Sequence, residues 1–94
     1  MNIVNGELYE EQLKEILNSF FGNDIKAAKN FKLYLDTIIL NMPTKVKKYK
    51  KSIYFDNENI KDMENQGCTI PFYIDELNDT YVVLGIISNT NPIS

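Results

Sequence analysis

The chain has 94 residues, thirteen acidic and ten basic, a net charge of −3 and a single cysteine. This length allows one domain without a second core, and the ordinary apolar and charged fractions argue against a disordered chain. All ten basic residues are lysine, and the absence of histidine excludes a His-activated thiol and most zinc sites, so neither a metal nor a cofactor is expected.

Asn2–Val4 is a short candidate strand. Asn5-Gly6 follows as a turn and cap, and from Glu7 the pattern becomes helical. Tyr9, Leu13, Ile16, Leu17 and Phe20 recur at three- and four-residue spacings and form one stripe of a helix. Glu7, Glu10 and Glu11 suit its first turn, where the helix dipole favours negative charge. Gly22, within Phe21-Gly22-Asn23, is placed to end it. Asn23 or Asp24 then caps a second helix running to about Asn41, with Ala28, Phe31, Leu35, Ile38, Ile39 and Met42 as its buried face. Pro43 is predicted to end that helix, because the residue before a proline is steered out of helical geometry. So short a connection implies an antiparallel helical hairpin. Its aromatics, Tyr9, Phe20, Phe21, Phe31 and Tyr34, read as core or partner-facing residues and not as a ligand cage.

Thr44–Glu58 is the least regular stretch. Lys45, Lys47, Lys48, Lys50 and Lys51 fall within seven residues with no acid among them. The other 87 residues hold five lysines against thirteen acids, a balance of −8, so a positive segment sits on an acidic body. The pattern is open between a solvated loop and a contact surface. Ser52–Phe55 is equally open between strand, turn and loop.

Three strands follow, Ile60–Asn65, Thr69–Asp75 and Tyr81–Ile87, separated by turn-forming residues. In the middle one Ile70, Phe72 and Ile74 point one way and Thr69, Tyr73 and Asp75 the other. Pro71 removes a ladder donor and implies a bulge or an edge there. Gly85 allows close approach of a neighbour. Ile60–Asn65 reads as a polar-faced edge strand, and Asn89–Ser94 as a frayed tail. Cys68 reads as a small packing residue at a strand start. The predicted fold is α+β: a short N-terminal strand and an antiparallel helical hairpin packed on a mainly antiparallel sheet, in the order β-α-α-β-β-β. No apolar run approaches the roughly 18–20 residues of a membrane span. The first residues lack the basic and apolar regions of a secretory leader, so a reducing cytoplasm is the expected compartment.

Several motifs in this order carry a family likeness: Leu13-Lys14-Glu15-Ile16; then Ala28, Phe31, Leu35, Ile38 and Pro43; then Ile60-Lys61-Asp62-Met63; then Gly67 through Asp75; then Val83-Leu84-Gly85-Ile86. Over about Leu8 to Ile87 the chain resembles the RelE/ParE superfamily of bacterial type II toxins, the ParE-like members more than the RelE-like. The resemblance implies a cytoplasmic growth inhibitor in a hetero-oligomer with a cognate antitoxin, which wraps the hairpin and an edge of the sheet. Tyr9, Leu13, Leu17, Phe21 and Tyr34 are the implied antitoxin contacts. RelE-like members cleave messenger RNA on the ribosome, using basic residues and a tyrosine or histidine near the C-terminus, whereas ParE-like members act on DNA gyrase.

This chain departs from the nuclease pattern in lacking arginine and histidine, and Asn89–Ser94 has no titratable side chain. Cleavage through a 2′-hydroxyl needs proton transfer and stabilisation of charge on phosphorus. Lys47, Lys48, Lys61, Tyr73 and Tyr81 are the candidates for that work. Lys45, Lys47, Lys48, Lys50 and Lys51 are the candidates for contact with nucleic acid or target. A gyrase-binding toxin is therefore the expectation. The alternatives are a ribosome-dependent endoribonuclease and a non-toxic antitoxin-binding module of the same fold.

Overall fold

A computed structural model of the chain describes residues 2–65 and 67–89. The elements are β1 (Asn2–Asn5), α1 (Glu7–Phe21), α2 (Ile25–Asn41), a 3-10 helix (Met42–Lys48), β2 (Lys50–Lys51), β3 (Ile60–Asn65), β4 (Cys68–Asp75), β5 (Thr80–Val83) and β6 (Ile87–Ser88). This is the α+β order predicted, with a 3-10 helix and the short β2 added between α2 and the main strands. No helix among the described residues is long and apolar enough to cross a membrane.

The helix ends follow local chemistry. Gly22, at φ +52°, closes α1 and donates its N–H to the Asn18 carbonyl at 3.2 Å. Asp24 caps α2, its carboxylate accepting from the Ala27 N–H at 3.1 Å, a cap whose loss costs about 1 kcal/mol. The α-helix ends at Asn41, as predicted, but Met42 before Pro43 keeps helical angles (φ −56°, ψ −41°) and is not steered out of them. Pro43 occupies the first turn of the following 3-10 helix, where a missing N–H is harmless. At three residues per turn, Pro43, Val46 and Tyr49 fall on one half-buried side, with the Tyr49 ring edge-on to Phe72 at 5.7 Å. Lys45, Lys47 and Lys48 occupy the exposed sides.

The strand order is β1-β5-β4-β3-β2, with β1 parallel to β5, the rest antiparallel and β6 also paired with β4. β3 is thus an interior strand over Lys61 and Asp62, where β2 pairs with it, and not the edge the sequence suggested. The predicted strand Tyr81–Ile87 is two pieces. Phe72 faces Val83 while Thr69 faces Ile87, so three steps on β4 meet four on its neighbour, a one-residue bulge within Leu84–Ile86. The Pro71 carbonyl accepts from the Leu84 N–H at 2.8 Å, and a strand residue's N and O face the same neighbour. The donor that proline lacks is therefore missing at the bulge, where the ladder is already interrupted.

One face of the sheet is buried under the helices. Ile70 and Phe72 of β4, Met63 of β3 and Val83 of β5 meet Tyr9, Leu13, Leu35 and Ile39 from α1 and α2. Each such large side chain contributes about 1.5–3 kcal/mol before the entropy of ordering it. Cys68 lies in this core at 3% exposure, and burial pushes its thiol pKa up, which suits packing and not nucleophilic chemistry.

Candidate functional site

The N-terminal edge of the sheet is open. Asn2 and Gly6 donate their backbone N–H groups to the carbonyls of Asp79 (3.0 Å) and Val83 (2.9 Å) on the β5 side. The alternate residues Ile3 and Asn5 consequently turn their N–H and C=O outward, and among the described residues no strand pairs with that side. Beside this edge lies a groove of about 430 Å³ between β1 and α2, lined by Ile3, Asn5, Lys32, Asp36, Ile39 and Leu40. Lys32 and Asp36, bonded at 3.0 Å across one helical turn, form its charged wall. Val4 (49% exposed) and Leu40 (71%) lie on the strand and helix that frame it. Leu33 stands on the same helical stripe as Leu40, one heptad away and off the buried face, so α2 carries apolar side chains on two sides.

The five residues implied as antitoxin contacts divide. Tyr9 and Leu13 are core residues, 1% and 3% exposed, because the stripe they begin is the one that packs on the sheet. Leu13 also lines the floor of a shallow groove on the hairpin surface. Leu17 is half-buried in a shallow groove between the helices, and Phe21 packs its ring on Phe31 at 5.3 Å. Tyr34 is exposed, and its hydroxyl donates to Asn65 Oδ1 at 2.9 Å. Among the described residues the buried Tyr9 hydroxyl has no hydrogen-bond partner. Burial, reinforced by Asp36, Glu10 and Cys68, holds its phenol pKa well above the usual tyrosine range.

The candidate catalytic residues are also scattered. Lys61 and Tyr81 line one cleft of about 360 Å³, together with Val46, Asp75, Glu76 and Asp79. The Lys61 ammonium donates to the Val46 carbonyl at 3.2 Å, near the C-terminal end of the 3-10 helix where a cation is favoured. Three carboxylates around one ammonium make a poor seat for phosphate. Tyr73 alternates to the other face of the sheet and lines a separate cleft with Asn59 and Leu77. Lys47 and Lys48 are exposed on the 3-10 helix and are not among the residues lining the Lys61 cleft. Lys50 and Lys51 form β2, and Lys51 is bonded to Glu58 (3.2 Å) and Asp56 (3.4 Å), which together raise its pKa. Among the described residues no group of three or more His, Cys, Asp or Glu is arranged to hold a metal ion.

Two polar residues that sequence reasoning passed over organise the neighbourhood. Gln12, on the flank of the α1 stripe, accepts the Ile86 N–H at 2.9 Å and so satisfies a donor freed by the bulge. A Cβ on Gly85 would stand 2.6 Å from that same oxygen, so the close neighbour anticipated at Gly85 is the Gln12 side chain. Asp62 accepts the Ile53 N–H at 3.0 Å. Asn89, read as part of a frayed tail, bonds its N–H to the Gly67 carbonyl at 2.8 Å and accepts from the Thr69 hydroxyl; the remainder of that tail lies outside the described residues. Comparison with protein-family models finds no match to the chain, and comparison with curated proteins finds none either.

Proposed function

We propose that the chain is the toxin of a type II toxin–antitoxin pair, a cytoplasmic growth inhibitor that acts by binding a protein target, DNA gyrase. The observation that carries this reading is the open β1 edge beside the β1–α2 groove. A partner strand added to Ile3 and Asn5 gains backbone hydrogen bonds, each worth about 0.5–1.5 kcal/mol net, while its side chains enter the groove. That is the grip the family resemblance calls for, on a chain with the matching β-α-α-β-β-β order. The scatter of the lysines and tyrosines supports binding over catalysis.

Expression of the chain alone is expected to arrest growth, and co-expression of the product of the adjacent reading frame to restore it. Purified gyrase should lose supercoiling activity when the chain is added. Supercoiling that persists under a large excess would rule out that target, and unchanged growth would remove the toxin reading in favour of a non-toxic antitoxin-binding module.

One observation favours a second reading. Lys61 and Tyr81 share a cleft with carboxylates, the only place where the candidate acid/base residues meet among the described residues. For a ribosome-dependent endoribonuclease, adding the chain to a translation extract should cut messenger RNA at defined positions. Intact transcripts would exclude it.

A further inference from the structure

The β1 strand reads Asn2-Ile3-Val4-Asn5, with no charge, no proline and an uninterrupted register against β5. Edge strands of monomeric proteins usually carry a charge, a proline or a bulge, because free N–H and C=O groups accept any strand that reaches them. β2, at the other end of the sheet, is two lysines. β1 has no such guard, and its own sequence supplies one strand that fits it closely: a second copy of itself.

Ile3 and Asn5, the residues whose backbone groups turn outward, flank Val4. When two copies lie antiparallel about a two-fold axis at Val4, Ile3 of each copy faces Asn5 of the other. Outward residues opposed in this way exchange both of their N–H···O bonds. The two pairs then make four bonds and use every outward group of Ile3 and Asn5. An axis at Ile3 or at Asn5 would pair only one of the two within the strand. Val4 meets Val4 of the second copy as the close, non-hydrogen-bonded pair, with Cα atoms about 4.5 Å apart. Asn2 falls opposite Gly6, which has no side chain to obstruct it.

The side chains suit the same axis. Ile3 and Asn5 line the groove on the helix side, so Val4 faces the other way. On that outer face the register sets Val4 beside Val82, Val82 beside Tyr73 and Tyr73 beside Ile60, an apolar row across four strands. Ile60 is buried and Val82 and Tyr73 are half-buried, but Val4 at the open end is 49% exposed. A second copy covers it with its own Val4 and continues the row across both sheets. The same axis sets the two β1–α2 grooves side by side, each with Leu40, 71% exposed, in its lining. We propose that the free chain is a two-fold dimer joined through β1. The inference rests on the reading of β1 as a strand-accepting edge and adds a regulation to it: a second copy and an antitoxin strand compete for Ile3 and Asn5, so the antitoxin binds the monomer.

The test is the mass of the purified full chain in sedimentation equilibrium, with no other protein present, at concentrations up to about 100 µM, where an interface of modest size is populated. A dimer is expected. Asn5→Pro deletes one outward N–H, and Val4→Lys sets like charges opposite each other on the axis. Both positions are exposed, and each variant should dissociate at least about tenfold more readily. Val4→Cys should form an intermolecular disulfide under mild oxidation, since its Cα separation lies within the range for one. Asn2→Cys should not, because its counterpart is about 14 Å away. The natural chain, whose Cys68 is 3% exposed, is the control. A chain that stays monomeric throughout overturns the proposal. So does a dimer that Asn5→Pro and Val4→Lys leave intact, which would put the contact elsewhere, as at Ile53, Tyr54 and Phe55 (81%, 45% and 40% exposed). Cross-linking of Asn2→Cys as readily as of Val4→Cys would overturn it too. Growth arrest is read separately: a monomer that arrests growth sinks the dimer and leaves the toxin reading standing, and a dimer that does not arrest growth does the reverse.

Discussion

At the β1 edge Ile3 and Asn5 leave their backbone groups turned outward, whereas at the β2 edge the corresponding groups are mostly taken. Ser52 bonds to Ile60 and Lys50 faces Asp62, so Tyr49, Lys51 and Ile53 are the residues that alternate outward. The Tyr49 N–H is used by the Val46 carbonyl at 3.3 Å and the Ile53 N–H by Asp62 at 3.0 Å. That leaves Lys51 with an outward N–H, on a strand of two lysines. Short, charged and interrupted edges resist strand addition, while an open one beside an apolar groove invites it. The difference teaches that the two ends of the sheet differ in what they leave exposed: outward backbone groups at β1, apolar side chains at β2.

Five changes would break or sharpen that contrast. Phe72→Ala, midway between the edges, should cost about 3–5 kcal/mol in denaturant unfolding and weaken both ends alike. Asp62→Ala removes a charged acceptor and should cost about 1.5–3 kcal/mol at most, with faster amide exchange confined to Ile53 and its neighbours. If exchange also rises along β1, the two edges are not independent. Asn5→Pro deletes an outward N–H only; stability should change by less than about 1 kcal/mol while copurification with a β1 partner falls at least about tenfold. Tyr9→Phe removes a buried hydroxyl that has no partner among the described residues and should stabilise the fold by about 1 kcal/mol. The same variant has a pH signature. In the folded chain the phenol pKa is raised, so above about pH 10 the unfolded chain loses this proton first and the natural protein loses stability as pH rises; the variant should lose less. Lys51→Ala breaks two exposed ion pairs and should shift the melting transition least, by the equivalent of about 1 kcal/mol or less.

The sequence conveyed the hairpin well because its signals are local and redundant: a stripe of apolar residues in each helix, Gly22 between them and Asp24 as a cap. It conveyed the central strands through the alternation at Ile70, Phe72 and Ile74. It conveyed the edges poorly. β2 is two residues long and carries no period, and Pro43, Val46 and Tyr49 repeat at three over a stretch too short to stand out. The apolar run from Tyr81 to Ile87 hid its bulge because residues on both faces there are apolar, although Pro71 and Gly85 each marked the place. Of the site, spacing placed Tyr9 on the α1 stripe and left Leu40 off the buried face of α2, but it did not show that Phe20, at the end of the same stripe, lies 41% exposed. The role of Gln12 left no trace in sequence, since its partner is a backbone N–H made available only by a distant bulge.

That last contact bears on the timing of assembly. Gln12 waits for Ile86, and Asn2 for Asp79 and Thr80, so the beginning of the chain finds its permanent neighbours only when the last strands have been made. Closing loops of this length is slow relative to helix formation. During synthesis the hairpin precedes the sheet it packs on, leaving its apolar stripe without a surface to cover. Native β1, and with it the groove, comes into existence only after translation has passed Val83, so a partner that needs that groove cannot engage it on a shorter nascent chain.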